Sequence, residues 1–153
     1  PDVVGQVLAD YREAYGRNWN RKSKPFPGII GLLDRLSAEG VRLAVLSNKP
    51  QSFTELCVSS LLPGERFERV YGQRDGVPRK PDPGAALAIA EELGVEPEKT
   101  MFIGDSNVDI LTGSRAGMLP VGVLWGFRDE EELRAAGARH IVGDAAEIAE
   151  LIS

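Results

Sequence analysis

An α/β domain with a largely parallel sheet and helices on both faces is the fold class this sequence predicts. Short apolar runs alternate with longer stretches of helical period, the pattern of strands joined by crossover helices. Glycines close two of the helical stretches, at Gly40 and Gly94, where a left-handed C-terminal residue belongs. The polar clusters rich in Ser, Lys and Asp fall directly after apolar runs, at one edge of the expected sheet.

A chain of 153 residues suits one domain. At 42% hydrophobic and 27% charged residues the composition is that of a folded protein, and disorder is excluded. A net charge of −5 argues against general nucleic-acid binding. The single cysteine, Cys57, excludes an internal disulfide framework and a cysteine-rich zinc module. No apolar run reaches the roughly 18 residues a membrane span needs, and no secretory signal is recognisable, so a cytoplasmic protein is expected.

Taken in order, residues Val3 to Tyr15 place Val4, Leu8, Tyr11 and Tyr15 at helical spacing. A basic connector follows, and Pro25-Phe26-Pro27-Gly28 marks the best boundary, dividing residues 1–24 from a core of residues 25–153. Within the core, helices are expected over Ile29–Glu39, Pro50–Leu61, Pro83–Leu93, Val108–Ala116, Asp129–Ala136 and Ala145–Ile152. Strands are expected over Val41–Leu46, around Phe67–Tyr71, and over Thr100–Ile103, Pro120–Leu124 and His140–Val142. No internal repeat or low-complexity segment interrupts them.

Three clusters carry chemistry. Ser47-Asn48-Lys49-Pro50 closes a strand and opens a helix, where unpaired N–H groups and a positive dipole end favour a phosphate. Taken alone, this cluster reads better as a helix cap at Ser47 or Asn48, with Pro50 in the first turn. Lys80 stands between Pro78 and Pro81, ahead of a helix that Asp82 can cap and Pro83 can begin, and is either held rigidly for a ligand or simply solvated. Gly104-Asp105-Ser106-Asn107-Val108-Asp109 puts one carboxylate at a strand end and another in the first helical turn. Side chains there lean toward the helix N-terminus, so both carboxylates can face one point, where their repulsion invites a cation and hard oxygens suit Mg²⁺. A helix cap at Asp105 and a solvated Asp109 would explain each residue separately but not their convergence. Hydroxyl, lysine and carboxylates at one sheet edge point to phosphoryl chemistry.

These motifs, in this order and spacing, resemble the haloacid dehalogenase superfamily from about Phe26 to about Gly143. Ser47-Asn48-Lys49 resembles its second motif, Lys80 with Pro81 its third, and Gly104 to Asp109 its fourth. Thr112-Gly113, Ala116-Gly117-Met118 and Val123-Leu124-Trp125-Gly126-Phe127 are most similar to the phosphoglycolate phosphatase branch. The resemblance implies a three-layer Rossmann-like core. It also implies Mg²⁺-dependent hydrolysis of a small anionic phosphorylated metabolite, 2-phosphoglycolate favoured, through an aspartyl-phosphate. Ser47 and the backbone N–H of Asn48 would hold the phosphoryl group, and Lys80 would hold both nucleophile and phosphate. Asp105 would ligate the metal, with Asp109 binding it directly or through water. Residues 1–24 would be the remnant of a helical cap.

One departure bears on activity. The family's nucleophile is the first aspartate of an Asp-x-Asp after an N-terminal strand, and no Asp-x-Asp occurs here. Asp75-Gly76 lies instead in the position of the loop before the lysine. The family's first strand lies between the strands ending here at Leu46 and Ile103, so the expectation is a truncated chain, inactive alone, with two strand edges unpaired. The alternative is a non-catalytic module that binds phosphate and metal. A phospho-receiver domain fits less well, because Lys80 with its prolines suits the phosphatase. His140, Cys57 and Trp19 read as structural or solvated residues, and Asp129 to Glu132 as a helix start favoured by its dipole.

Overall fold

The computed structural model describes residues 23–62 and 64–152 together with Gln6, Glu13 and Arg17. The helix expected over Val3–Tyr15 and most of the connector, Trp19 included, lie outside the described residues.

From residue 29 onward the described residues form, in alternation, α1 (Ile29–Ala38), β1 (Ala44–Pro50), α2 (Gln51–Leu61), β2 (Arg69–Gln73), α3 (Gly84–Leu93), β3 (Met101–Gly104), α4 (Asn107–Arg115), β4 (Leu119–Val123), α5 (Glu130–Ala135), β5 (His140–Val142) and α6 (Ala145–Ile152). All strand pairs are parallel. They form two separate pieces among the described residues, β1-β2 and β3-β4-β5. In the first, Val45 pairs with Val70 and Leu46 with Tyr71; in the second, Ile103 pairs with Val121 and Gly122 with Ile141.

The core has two parts, one on each face. Leu32 and Leu36 of α1 pack with Val121, Val123 and Val142 of the sheet and with Ile148 of α6. Ala86 and Ala90 of α3 pack with Ala116 and Met118, against which Leu46 and Phe102 lean. Alanines on α3 let that helix approach closely, as does Gly113 on α4, where an added Cβ would meet Phe102 Cβ at 2.8 Å.

A groove of about 890 Å³ separates the two sheet pieces. Its sides are the facing edges of β1 (Ala44 to Leu46) and β3 (Met101 to Ile103). Ile89 and Leu93 of α3 line it, as do Leu36 and Leu151. Strands of a parallel sheet are normally buried on both faces. Here Ala44 is exposed and Ile103 keeps 39% of its surface accessible, because the groove opens beside them. The groove lies between the two strands that the family resemblance places on either side of its first strand.

Several boundaries differ from expectation. β1 begins at Ala44 rather than Val41 and runs on to Pro50, because β2 pairs with it over that stretch, with a register shift between Leu46 and Pro50. Pro50 and Pro83 each stand one residue before their helix instead of opening it, and Asp82 Oδ1 accepts from the N–H of Gly84. Neither helix has a side-chain cap at its flanking residue, so the capping role open to Ser47 and Asn48 is not taken up.

β2 is tied to α3 by a surface cluster. Arg69 Nε donates to Glu92 at 2.6 Å and the Tyr71 hydroxyl donates to the same carboxylate. The Tyr71 bond, then Arg69, hold Glu92 below the usual carboxylate range, and Glu92 in turn pushes the Tyr71 phenol above its ordinary value. Substituting Glu92→Gln should therefore lower the Tyr71 titration midpoint, read from its ring-carbon NMR shift. An unmoved midpoint would contradict that cause. A raised phenol favours the folded state below its ordinary pKa, and that support is lost as pH rises through the folded value.

Candidate active site at the carboxyl edge

Regular pairing of β1 ends at Leu46, and the register shift that follows frees Ser47 to Lys49 from the ladder. Bulges of this kind re-aim side chains at strand ends. The segment is fixed from behind: Gln51 Oε1 accepts from the N–H of Gly72 at 2.6 Å, and Gln51 Nε2 donates to Val70 O at 2.8 Å. Only glycine fits at position 72, where a Cβ would lie 2.6 Å from Gln51 Cα and 2.7 Å from Lys49 O. Ser47 Oγ accepts from the Lys49 N–H at 3.1 Å, leaving its own proton for another acceptor.

Asn48 joins this segment to the lysine loop. Its Oδ1 accepts from the Lys80 N–H at 3.0 Å, and its Nδ2 donates to Lys80 O at 3.2 Å. The asparagine thus reads the lysine's backbone on both sides and fixes its direction. The Lys80–Pro81 peptide is cis. Lys80 Nζ donates to Leu46 O at 3.2 Å and to Asp109 Oδ1 at 2.6 Å, above the Phe102 ring at 5.9 Å. Both charged side chains of that pair are only 11% exposed, so the lysine is held rather than solvated.

Asp109 is shaped from three sides. Ser106 Oγ donates to its Oδ2 at 2.8 Å, and Ser106, not Asp105, is the N-cap of α4. Gly104 lies against it, where an added Cβ would stand 2.2 Å from Asp109 Cβ. With Lys80 on one oxygen and Ser106 on the other, Asp109 is committed to protein partners. Asp105 is different: among the described residues no group hydrogen-bonds its carboxylate, which lies half-buried beside Gly126. The two aspartates therefore divide into one that neutralises the lysine and one with open acceptor capacity.

The structure brings Asn48, Lys80 and Asp109 into direct contact. Ser47 stands beside them through its chain neighbours Leu46 and Asn48, and Asp105 through the turn that carries Asp109. Among the described residues no group of three His, Cys, Asp or Glu side chains could hold a metal alone. One open carboxylate nevertheless suits Mg²⁺, which commonly takes one or two protein carboxylates and completes its octahedron with water and substrate phosphate. Ser106 and Gly126 escaped the sequence reading as site residues. The serine's signal was a cap position three residues before Asp109, and the glycine's was its place just past a strand end on this edge.

Parallel strands joined by crossover helices, with Ser47, Lys80, Asp105 and Asp109 gathered at their carboxyl edge, define a Rossmann-like α/β domain. Comparison narrows the class. Residues 2–123 match the haloacid dehalogenase-like hydrolase family, and the chain belongs to it. It is 35% identical over 117 residues to a phosphoglycolate phosphatase of Aquifex aeolicus, covering 76% of this chain and 55% of that protein. A phosphoglycolate phosphatase of Rhodospirillum rubrum is 32% identical over 123 residues, covering 80% and 51%. A crystal structure from Lactobacillus delbrueckii subsp. bulgaricus superposes with a TM-score of 0.90 at 38% identity, over 97% of this chain and 62% of that one. The chain spans about half the length of the curated relatives it matches. Among the described residues no helix is long and apolar enough to cross a membrane.

Proposed function

We propose that this chain carries the phosphate-binding and metal-binding part of a Mg²⁺-dependent phosphatase acting on small phosphomonoesters, with 2-phosphoglycolate the favoured substrate. The observation that carries the reading is the Lys80 ammonium, locked at 2.6 Å from Asp109 and aimed along the edge that Ser47 and Asn48 share. Ser47 donates its hydroxyl proton to a phosphoryl oxygen, and the Asn48 N–H supports the same group. Lys80 neutralises the charge of the transferring phosphoryl. Asp105 would hold Mg²⁺, with Asp109 reaching it through water, and the bound metal would supply positive charge against the phosphate.

The phosphoryl acceptor that the family resemblance implies is a carboxylate at the end of a strand between β1 and β3, where the groove has room for one. In that reaction the carboxylate oxygen attacks phosphorus, the ester P–O bond breaks, and the departing alkoxide takes a proton from water. Water then cleaves the acyl phosphate and releases inorganic phosphate, splitting one difficult hydrolysis into two steps. The relatives named as phosphoglycolate phosphatases support the substrate class. The test is phosphate release by the longer protein from a panel of phosphomonoesters that includes 2-phosphoglycolate. Metal-dependent turnover with that substrate preferred is expected, and Ser47→Ala should lower it by about 10²–10³-fold, the usual effect of removing one oxyanion donor. Phosphate and Mg²⁺ binding without any turnover would instead favour a non-catalytic module.

A further inference from the structure

We infer that Gly126, on the loop after β4, is a positioning residue for Asp105: the loop backbone forms a wall that sets where the Asp105 carboxylate stands. The inference rests on the reading of Asp105 as a metal ligand. It adds a residue on a different loop, more than one strand away in sequence.

The geometry is specific. A Cβ added at Gly126 would lie 2.3 Å from Asp105 Cβ, 2.6 Å from its Cγ and 2.2 Å from its Oδ2. All three nearest atoms belong to Asp105. Turning the carboxylate about χ1 would move Cγ and Oδ2 away but leave Cβ in place, so no rotamer relieves the overlap. Either the loop or the Asp105 backbone has to shift.

The loop is poorly placed to shift. Just before Gly126, the N–H of Leu124 donates to Val142 O at 3.0 Å, continuing the β4–β5 ladder. Trp125 packs against the core cluster of Val121, Val142 and Ile148. Close-packed interiors resist such displacement. Asp105 sits at the end of β3, where no protein group hydrogen-bonds its carboxylate among the described residues, so the softer partner is the aspartate. The absence of a side chain at position 126 therefore keeps an otherwise unsupported carboxylate in one position. Outer contacts that orient a ligand typically change metal affinity by about 10–100-fold when lost.

The experiment uses the full chain with Gly126→Ala, Asp105→Gly and the double variant, and Mn²⁺ as the probe. Three results are expected. Gly126→Ala lowers the thermal midpoint when Asp105 is present but not in the Asp105→Gly background. It moves the Asp105 carboxyl ¹³C resonance in metal-free protein. It also weakens Mn²⁺ binding, followed by water proton relaxation, by about 10–100-fold. Equal destabilisation in both backgrounds, or an unmoved Asp105 resonance, would overturn the inference. If the unsubstituted protein binds no Mn²⁺, the metal reading fails, while the thermal cycle and the carboxyl resonance still decide the positioning role.

Discussion

Lys80→Met and Asp109→Asn should each destabilise the fold by about 3–5 kcal/mol, and each should reduce phosphomonoester turnover by the longer protein to background. The stability figure follows from burial. Breaking a buried pair by removing one partner leaves the other charge uncompensated in a poorly solvated place. Here both side chains are 11% exposed at a separation of 2.6 Å. Domains hold about 5–15 kcal/mol in total, so either single variant loses a large share. Joint replacement by Lys80→Met with Asp109→Asn removes both charges, and a coupling of about 0.5–3 kcal/mol should return. Catalysis will not return with it. The double variant lacks the ammonium that the proposed reading sets against the phosphoryl group, so it stays inactive while its urea midpoint recovers. Additive stability losses would show that the pair is not a unit. Near-native turnover in Lys80→Met would remove that lysine from the site.

The same ion pair shows what the sequence could and could not reveal. Residue type and spacing put Ser47, Lys80, Asp105 and Asp109 at one edge, because strands followed by helices deliver their next polar residues there. Helix ends were legible too: Gly94 takes the expected left-handed conformation after α3, with φ of 65°. Spacing alone did not separate the two aspartates. That Asp109 meets Lys80 while Asp105 stays open depends on Asn48 clamping the lysine backbone and on Ser106 turning toward Asp109, two side-chain choices without a periodic signature. Nor could Gly126 be singled out, since its importance arises from a contact between loops far apart in sequence. The proline positions erred for a local reason: Pro50 still pairs with Gln73 in the ladder, so α2 cannot begin until Gln51.

Residues 1–153 alone should release no phosphate from 2-phosphoglycolate beyond a slow metal-assisted background, and an added strand should restore both stability and turnover. On the proposed reading Ser47 and Lys80 position a phosphate and offset its charge and Asp105 holds a cation, but none of them is the phosphoryl acceptor that the family resemblance implies. Ser47 accepts from a backbone N–H, and no contact places a general base beside it among the described residues. Asp109 is committed to Lys80 and Ser106. The groove sets what a strand seated in it would need. Its two sides are parallel edges whose N–H and C=O groups would be satisfied by one inserted strand. The β3 edge spans about 13 Å at 3.3 Å per residue, enough for roughly four paired residues. Ile89 and Leu93 on α3, with Leu36 and Leu151 also in the lining, call for apolar side chains on both faces of the strand. Strands in the pair and in the triple all run parallel, and Lys80 bridges Leu46, where regular pairing of β1 stops, to Asp109 just past β3. A parallel insert would therefore deliver its carboxyl end beside that lysine. A peptide with five apolar residues followed by Asp-x-Asp, added in trans or fused upstream, should raise the thermal midpoint and give Mg²⁺-dependent phosphate release. The same peptide with Asn in place of the first aspartate should stabilise without activating, which separates filling the groove from supplying the acceptor. Robust metal-dependent turnover by the 153-residue chain alone, or activation by the Asn peptide, would show that the phosphoryl acceptor lies elsewhere.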